Sequence, residues 1–201
     1  MNRTVVIVLS VVGASLLIGL LFVGWGISVY NKIVTADEGV KSAWSQVENQ
    51  YQRRYDLIPN LIETVKGFAK QEREVLENVT AARARVGQLT VTPEILNDPQ
   101  AFEKFQQAQD GLSSALSRLL VVTENYPTLR SNENFLALQS QLEGTENRIS
   151  VERRRFNETV QSYNTMIRRF PASFVSSTTG FKEKAYFTAT AGAEQPPKVK
   201  F

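Results

Sequence analysis

A long run without any charged side chain, Val5–Val29, constrains this chain more than any other feature of its sequence. A helix of about 25 residues is about 37 Å long, which is enough to cross a hydrocarbon core of about 30 Å. Arg3 precedes the run, and Tyr30 and Lys32 follow it, which is typical of residues at a membrane interface. The alternative is a cleaved signal peptide, whose apolar stretch is normally only about 7–15 residues. The run therefore predicts a single-pass membrane helix that is not removed.

The orientation of this helix follows less directly from its flanking charges. Arg3 and the α-amino group lie on one side, whereas Lys32 and Lys41 lie within reach on the other, so the positive-inside rule is close to a tie. A short basic N-terminus tends to stay in the cytoplasm. We therefore expect the rest of the chain on the outer, extracytoplasmic side of the inner (cell) membrane, with the lipid bilayer as its first partner.

The composition excludes several classes of function. The chain has no cysteine and no histidine, which excludes disulfides, thiolate zinc sites, thiol nucleophiles and imidazole bases. Its net charge of +3 is too mild for a typical nucleic-acid binder. No phosphate-binding glycine loop or nucleophile-elbow pattern is present. An all-oxygen metal site is the remaining catalytic alternative, but the spacing of its candidate ligands favours solvated helix faces and an ion pair; these candidates are Glu72, Glu74, Glu77, Glu143 and Glu146. We therefore predict no enzyme, no catalytic, metal or cofactor-binding residue, and no cofactor.

Apolar residues recur at helical spacing from Thr35 to Gln88, on one face of a predicted helix that ends near Gly87. They are Trp44, Val47, Tyr51, Tyr55, Ile58, Leu61, Val65, Phe68, Val75, Val79, Ala82 and Val86. Pro59 allows either a kinked helix or a turn between two helices. The apolar spacing continues across the proline, which favours one kinked helix.

Two further helices are predicted after a linker at Thr90–Pro99, and the short connection between them indicates an antiparallel pair. Asp98 and Pro99 match an N-cap followed by proline at the first helical position. The next helix ends near Glu124, and the last runs from a cap at Ser131 or Asn132 to about Phe170. Their apolar faces carry Phe102, Phe105, Gln109, Leu112, Leu116, Leu119 and Val122, and then Phe135, Leu138, Leu142, Ile149, Phe156, Val160, Tyr163, Ile167 and Phe170.

The chain thus divides into an anchor helix at residues 1–30, a helical domain at residues 31–171 and an extended tail at residues 172–201 that packs on the bundle. Within the tail we expect a loop at Ser173–Thr179 and an extended or disordered end. No strand pattern is strong, and Ala185–Ala189 is the candidate for a short strand.

Several polar residues lie on or beside the apolar faces. A buried charge is costly unless it is paired, so we predict that Glu72 and Glu146 pair with arginines from neighbouring helices. Arg153–Arg155 are consecutive and point around most of a helix, which favours a solvated face. Asn157 and Asn164, each following an aromatic residue, are candidates for fixing the helix register.

The sequence resembles the LemA family of bacterial membrane proteins in segments spread in order over nearly all of the chain. These are Tyr30-Asn31, Ala43–Glu48, Arg53–Leu61, Ala82-Arg83, Glu124–Pro127, Thr145–Ile149, Arg154 with Phe156-Asn157, Tyr163-Asn164 and Phe170-Pro171. Phe156 departs from the family pattern, which more often has tyrosine there. The resemblance implies an all-α fold, with an N-terminal transmembrane helix followed by an antiparallel four-helix bundle, and supplies no catalytic residue or cofactor. A turn at Pro59, or a helix at residues 88–98, would bring the number of helices to four.

These features favour a non-enzymatic scaffold at the membrane, with coiled-coil-like helices that form a homo-oligomer or recruit unidentified membrane or envelope proteins, and not nucleic acid. The alternative is a transmembrane sensor or adaptor. Because only about four residues precede the membrane helix, an adaptor needs a partner membrane protein to carry the signal.

Overall fold

A computed structural model describes residues 3–69, 71–89 and 92–188. It forms two compact units, Met1–Val40 with Gln161–Glu183 and Lys41–Val160 with Lys184–Phe201. No residue in the described ranges lies in a β-strand, so the predicted all-α class is confirmed. The division into anchor, bundle and tail stays a prediction.

The first helix, α1, runs without a break over Arg3–Phe68 and contains Pro59. The favoured prediction that the helix continues through Pro59 is therefore confirmed, and the alternative of a turn there is wrong. A proline inside a helix costs about 3 kcal/mol, whereas full burial of an Ile or Leu side chain contributes about 1.5–3 kcal/mol. Ile58 and Leu61 on either side are fully buried, which is enough to hold the helix through the proline. The N-terminal part of α1 is the one described helix long and apolar enough to cross a membrane.

The expected single helix up to Gln88 is wrong, because the chain turns between Phe68 and Arg73. A second helix, α2, spans Arg73–Gly87 and ends at the predicted glycine. The apolar step from Phe68 to Val75 is seven residues, which fits a continuous helix and a tight turn equally well. The break, together with the uninterrupted α1, supplies the fourth long helix.

The remaining helices are α3 at Pro99–Thr123, a short α4 at Pro127–Arg130 and α5 at Glu133–Arg168. Asp98 caps α3 as predicted, since its carboxylate accepts hydrogen bonds from the backbone N–H groups of the second and third residues that follow. Asn132, one of the two predicted caps, accepts a hydrogen bond from the Phe135 N–H at the start of α5. Within the predicted linker, Pro93–Asn97 forms a 3-10 helix.

In the second unit, helices α1, α2, α3 and α5 contribute to one apolar core. Trp44 contacts Phe156, whereas Arg54, ten residues later, bonds Glu146, ten residues earlier, so α1 and α5 are antiparallel. The buried core residues are Ile58, Leu61, Val65, Ala69, Leu76, Val79, Leu112, Leu116, Leu119, Leu129, Phe135 and Leu142.

The segment after α5 differs from its prediction at three points. The expected loop at Ser173–Thr179 is mostly helical, because α6 spans Ala172–Thr179 and ends at Gly180 in the left-handed conformation. Phe170, predicted to be a core residue, is 85% exposed since it follows the end of α5. Residues 185–188 are not in a strand, and residues 189–201 lie outside the described ranges.

Candidate functional site

A charged side chain lies inside the second unit. It is that of Arg54 of α1, which is fully buried. One terminal nitrogen donates to Ser113 Oγ at 2.5 Å and to Glu146 Oε1 at 2.6 Å. The other donates to Gln109 Oε1 at 2.5 Å and more weakly to the Gln109 carbonyl at 3.3 Å. One guanidinium group therefore joins α1, α3 and α5, and we call Arg54 with these three partners the arginine centre.

The predicted pairing of Glu146 with an arginine is confirmed, and its partner is Arg54. The same prediction for Glu72 is wrong in its partner. Among the described residues, Glu72 accepts a hydrogen bond from the Tyr126 hydroxyl at 2.8 Å. That bond is the main cause of a raised pKa of the Tyr126 phenol.

A second arginine, Arg153 of α5, lies in the same unit and corrects the reading of residues 153–155 as solvated. Its side chain is only 20% exposed and pairs with Asp110 at 2.9 Å. It also donates to the Tyr51 hydroxyl at 2.6 Å. Burial by itself lowers the pKa of Arg153, but Tyr51 and Asp110 more than offset this and raise it. Arg154 and Arg155 are exposed, as expected.

Burial raises the pKa of the Tyr51 phenol to about 12, although the neighbouring Arg153 partly opposes the shift. Tyr51 is thus held as a neutral phenol that accepts from Arg153. The Arg54 guanidinium lies 5.3 Å from the same ring, within cation–π range. The two arginines therefore share one aromatic side chain.

An aromatic cluster surrounds Trp44, which is fully buried. Its ring centroid lies 5.8 Å from that of Phe102, 5.4 Å from Phe105, 5.6 Å from Phe156 and 6.1 Å from Phe187. These separations fall in the range where aromatic pairs attract each other beyond simple area burial. Phe187 comes from the segment after α6, so this segment completes the core.

Two polar side chains hold that segment in place. The Asn157 amide donates to the Phe187 carbonyl at 2.8 Å and accepts from its N–H at 2.9 Å. Gln106 donates to the Thr188 carbonyl at 2.7 Å and accepts from its N–H at 3.2 Å. Asn157, predicted to fix helix register, instead pairs with an extended backbone.

A cleft of about 410 Å³ opens beside Tyr51. The residues that line it include Glu48, Tyr55 and Gly87. Burial raises the pKa of the Glu48 carboxyl above its ordinary value. The Arg83 guanidinium lies 3.8 Å from the Tyr55 ring centroid. A Cβ atom added at Gly87 would stand 2.9 Å from the Tyr55 hydroxyl, so an alanine there would require the Tyr55 side chain to shift.

Of the five acidic residues considered as metal ligands, Glu72 and Glu146 are engaged as described above. Glu77 pairs with Arg73 at 2.7 Å, and Glu143 accepts a hydrogen bond from Gln139 at 2.9 Å. Within the described ranges, no three acidic side chains are grouped so that they could hold a metal ion. The contacts of Glu77 and Glu143 each join residues four positions apart in one helix.

Comparison with known protein families places this arrangement in a known context. The model of the LemA family matches residues 43–201, which include all the residues of the arginine centre and the aromatic cluster. The chain belongs to the LemA family.

Several named proteins are similar to this chain over most of its length. A magnetosome protein, MamQ, from Magnetospirillum gryphiswaldense is 28% identical over 83% of this chain and 67% of its own length. MamQ 2 from Paramagnetospirillum magneticum is 27% identical over the same shares. The LemA protein of Metamycoplasma hominis is 21% identical over 80% of this chain and 69% of its own length. With the apolar start of α1, these similarities indicate a membrane-associated protein and favour a structural over a catalytic role.

The LemA-family resemblance included Arg54 only as part of a longer motif, and its role as the buried centre was missed. A signal for it existed, because Val47, Tyr51, Arg54 and Ile58 follow one another at steps of four, three and four. A charged residue inside such a stripe predicts a buried, paired side chain. No comparable signal identifies Phe187, whose surrounding segment has no periodic pattern.

Proposed function

We propose that this LemA-family chain is a non-enzymatic scaffold, anchored by one membrane-spanning helix, that self-assembles or recruits other membrane or envelope proteins at a bacterial membrane. The observation that carries this proposal is the use made of the polar core. Arg54 and Arg153 bond to groups on α1, α3 and α5. These largely buried cations of the second unit therefore hold the helices in register.

The surface between α3 and α5 supports the recruiting part of the proposal. A groove of about 440 Å³, the α3/α5 groove, has leucines in its lining and polar residues beside them. It is lined by Ser113, Leu116, Ser117, Leu120, Leu142, Glu143, Glu146 and Asn147. An apolar floor with a polar rim is typical of a surface that accepts an amphipathic helix. Such a helix can come from a second copy or from another protein.

The proposal includes a location. The soluble part lies on the extracytoplasmic side of the inner membrane, as the short basic N-terminus favours. Protease digestion of sealed, right-side-out vesicles tests the orientation, since the bundle is then cleaved from outside. Protection in these vesicles, together with cleavage in inverted ones, contradicts this part of the proposal.

The assembly experiment uses the absence of native cysteine. Ser117→Cys places a single thiol in the α3/α5 groove, and Ser140→Cys provides a matched exposed site on α5. Crosslinking in native membranes, followed by mass spectrometry, is expected to capture a second copy or a defined protein from position 117 and not from position 140. Light scattering on the detergent-solubilised chain is expected to give a mass above that of a monomer. A strictly monomeric mass with equal background capture from both positions contradicts the scaffold.

A further inference from the structure

Two exposed phenylalanines lie close together in sequence at the C-terminal end of α5 and in α6, within the first unit. Phe170 is 85% exposed and Phe174 is 70% exposed. Helix α6 turns Ala172 and Ser176 inward, and the Ser176 hydroxyl donates to the Ile167 carbonyl at 3.0 Å. Residues two positions apart on a helix point about 200° apart, so Phe174 projects from the opposite, outer face. Exposed aromatic groups of this size mark an interaction surface.

These rings belong to the part of the first unit where α1 leaves its uncharged segment. Met166 in the last turn of α5 lines a groove of about 630 Å³ with α1 residues between Gly24 and Ala36. The Tyr30 ring, directly after the uncharged run, contacts the Phe181 ring with centroids 5.9 Å apart. The segment from Phe170 to Phe181 therefore lies between two contacts with α1, and both contacts are close to the end of the uncharged run.

The charges around the rings have one dominant sign. Arg168, Arg169 and Lys182 are exposed, and Glu183 is the one acidic residue of Gln161–Glu183. Arg168 lies 3.7 Å from Glu183, and both side chains are more than half exposed, so this pair is weak. Exposed aromatic residues beside basic ones are the combination that lies in an anionic membrane interface.

We propose that an interfacial patch (Arg168, Arg169, Phe170, Phe174 and Lys182) docks on the anionic lipid headgroups of the membrane that α1 crosses. The phenyl rings enter the boundary between headgroups and acyl chains, and the three cations contact the lipid phosphates. The chain then has a second, reversible attachment in addition to its anchor. This inference rests on the membrane anchor of the proposed function and is independent of what the α3/α5 groove binds.

The test uses the full chain in vesicles and one fluorescent label. Ser177→Cys introduces a unique, exposed thiol one turn after Phe174, and an environment-sensitive dye at this thiol reports contact with lipid. Vesicles contain phosphatidylcholine with or without phosphatidylglycerol, and spin-labelled lipids act as quenchers. We expect stronger quenching with phosphatidylglycerol. Combining Phe170→Ser with Phe174→Ser should lower the docking equilibrium by roughly tenfold or more.

Two controls separate docking from other effects. The same dye at Thr128→Cys, another exposed position, reports general proximity to the vesicle. Leu136→Ser removes an apolar side chain of 49% exposure elsewhere and should leave the quenching unchanged. Equal quenching at positions 177 and 128, or no response to the serine variants, overturns the proposal. A dye response at position 177 that disappears when the protein is diluted in lipid shows a second copy on the patch, and this result also overturns the proposal. Alkaline carbonate extraction of the same vesicles tests separately whether the chain is an integral membrane protein. Failure of the anchor is therefore distinguishable from failure of the patch.

Discussion

Removal of the Glu146 carboxylate is the sharpest test of the buried arginine centre. Arg54 is 0% exposed, and Glu146 is its one ion-pair partner among the described residues, at 2.6 Å. Removing one partner of a fully buried pair costs about 3–5 kcal/mol. The Glu146 side chain keeps 38% exposure, and Arg54 keeps Ser113 and Gln109 as acceptors. We therefore expect Glu146→Ala to lower the free energy of unfolding by about 2–3 kcal/mol.

The measurement is thermal unfolding of the detergent-solubilised full chain, followed by circular dichroism. For a chain of this size, 2–3 kcal/mol corresponds to a fall in Tm of about 4–12 °C. Glu146→Gln keeps an acceptor for the guanidinium, so its Tm should fall less than that of Glu146→Ala. Replacing both partners, Arg54→Met with Glu146→Leu, should recover part of the loss because no unpaired charge is left inside.

The matched control is Glu143→Ala, on the same helix. Glu143 is exposed and accepts a hydrogen bond from Gln139, and surface changes of this kind stay within about 0.5 kcal/mol. If Glu146→Ala lowers Tm no more than Glu143→Ala, the buried arginine is not held by this carboxylate, and the reasoning is refuted.

Three further predictions concern the same unit. Because the pKa of Tyr51 is raised to about 12, above the ordinary value of 10.0, stability should fall as pH rises from 10 to 12, and denaturant titrations should show a shallower fall for Tyr51→Phe. Gly111→Ala meets no atom within 4 Å and should stabilise α3 by about 0.5–1 kcal/mol in thermal unfolding, whereas Gly87→Ala, whose methyl group meets a tyrosine hydroxyl, should show no such gain. Asn157→Ala should speed hydrogen exchange at the Phe187 amide, measured by mass spectrometry. Unchanged exchange would show that the Asn157 side chain does not hold this segment.

The helices were predictable because their apolar periodicity and caps are local signals. Asp98 and Asn132 act as N-caps where short polar side chains precede helical patterns. The turn after Phe68 was not predictable, since a seven-residue step keeps its phase through either a helix or a reversal. At Pro59 the unbroken apolar spacing correctly favoured a continuing helix over a turn. The cost of the lost hydrogen bond is offset by burial of Ile58 and Leu61.

The site divides in the same way. Pairing of Glu146 followed from the cost of an isolated charge near a core. The partner of Glu72 did not, because a tyrosine hydroxyl and an arginine are equivalent from sequence until the helices are placed. The sequence does not identify Arg153 as the inward-facing arginine, since three consecutive arginines carry no periodicity. Only the positions of Asp110 and Tyr51 in the fold select it.

The place of Phe187 in the aromatic cluster has a consequence for the order of synthesis and folding. A ribosome makes every helix of the described ranges before it reaches this residue. Until then the ring of Trp44 lacks one of its four aromatic neighbours, and neither Asn157 nor Gln106 has the backbone that it binds. The apolar interior around Trp44 can therefore close only after every helix that contributes to it has been made.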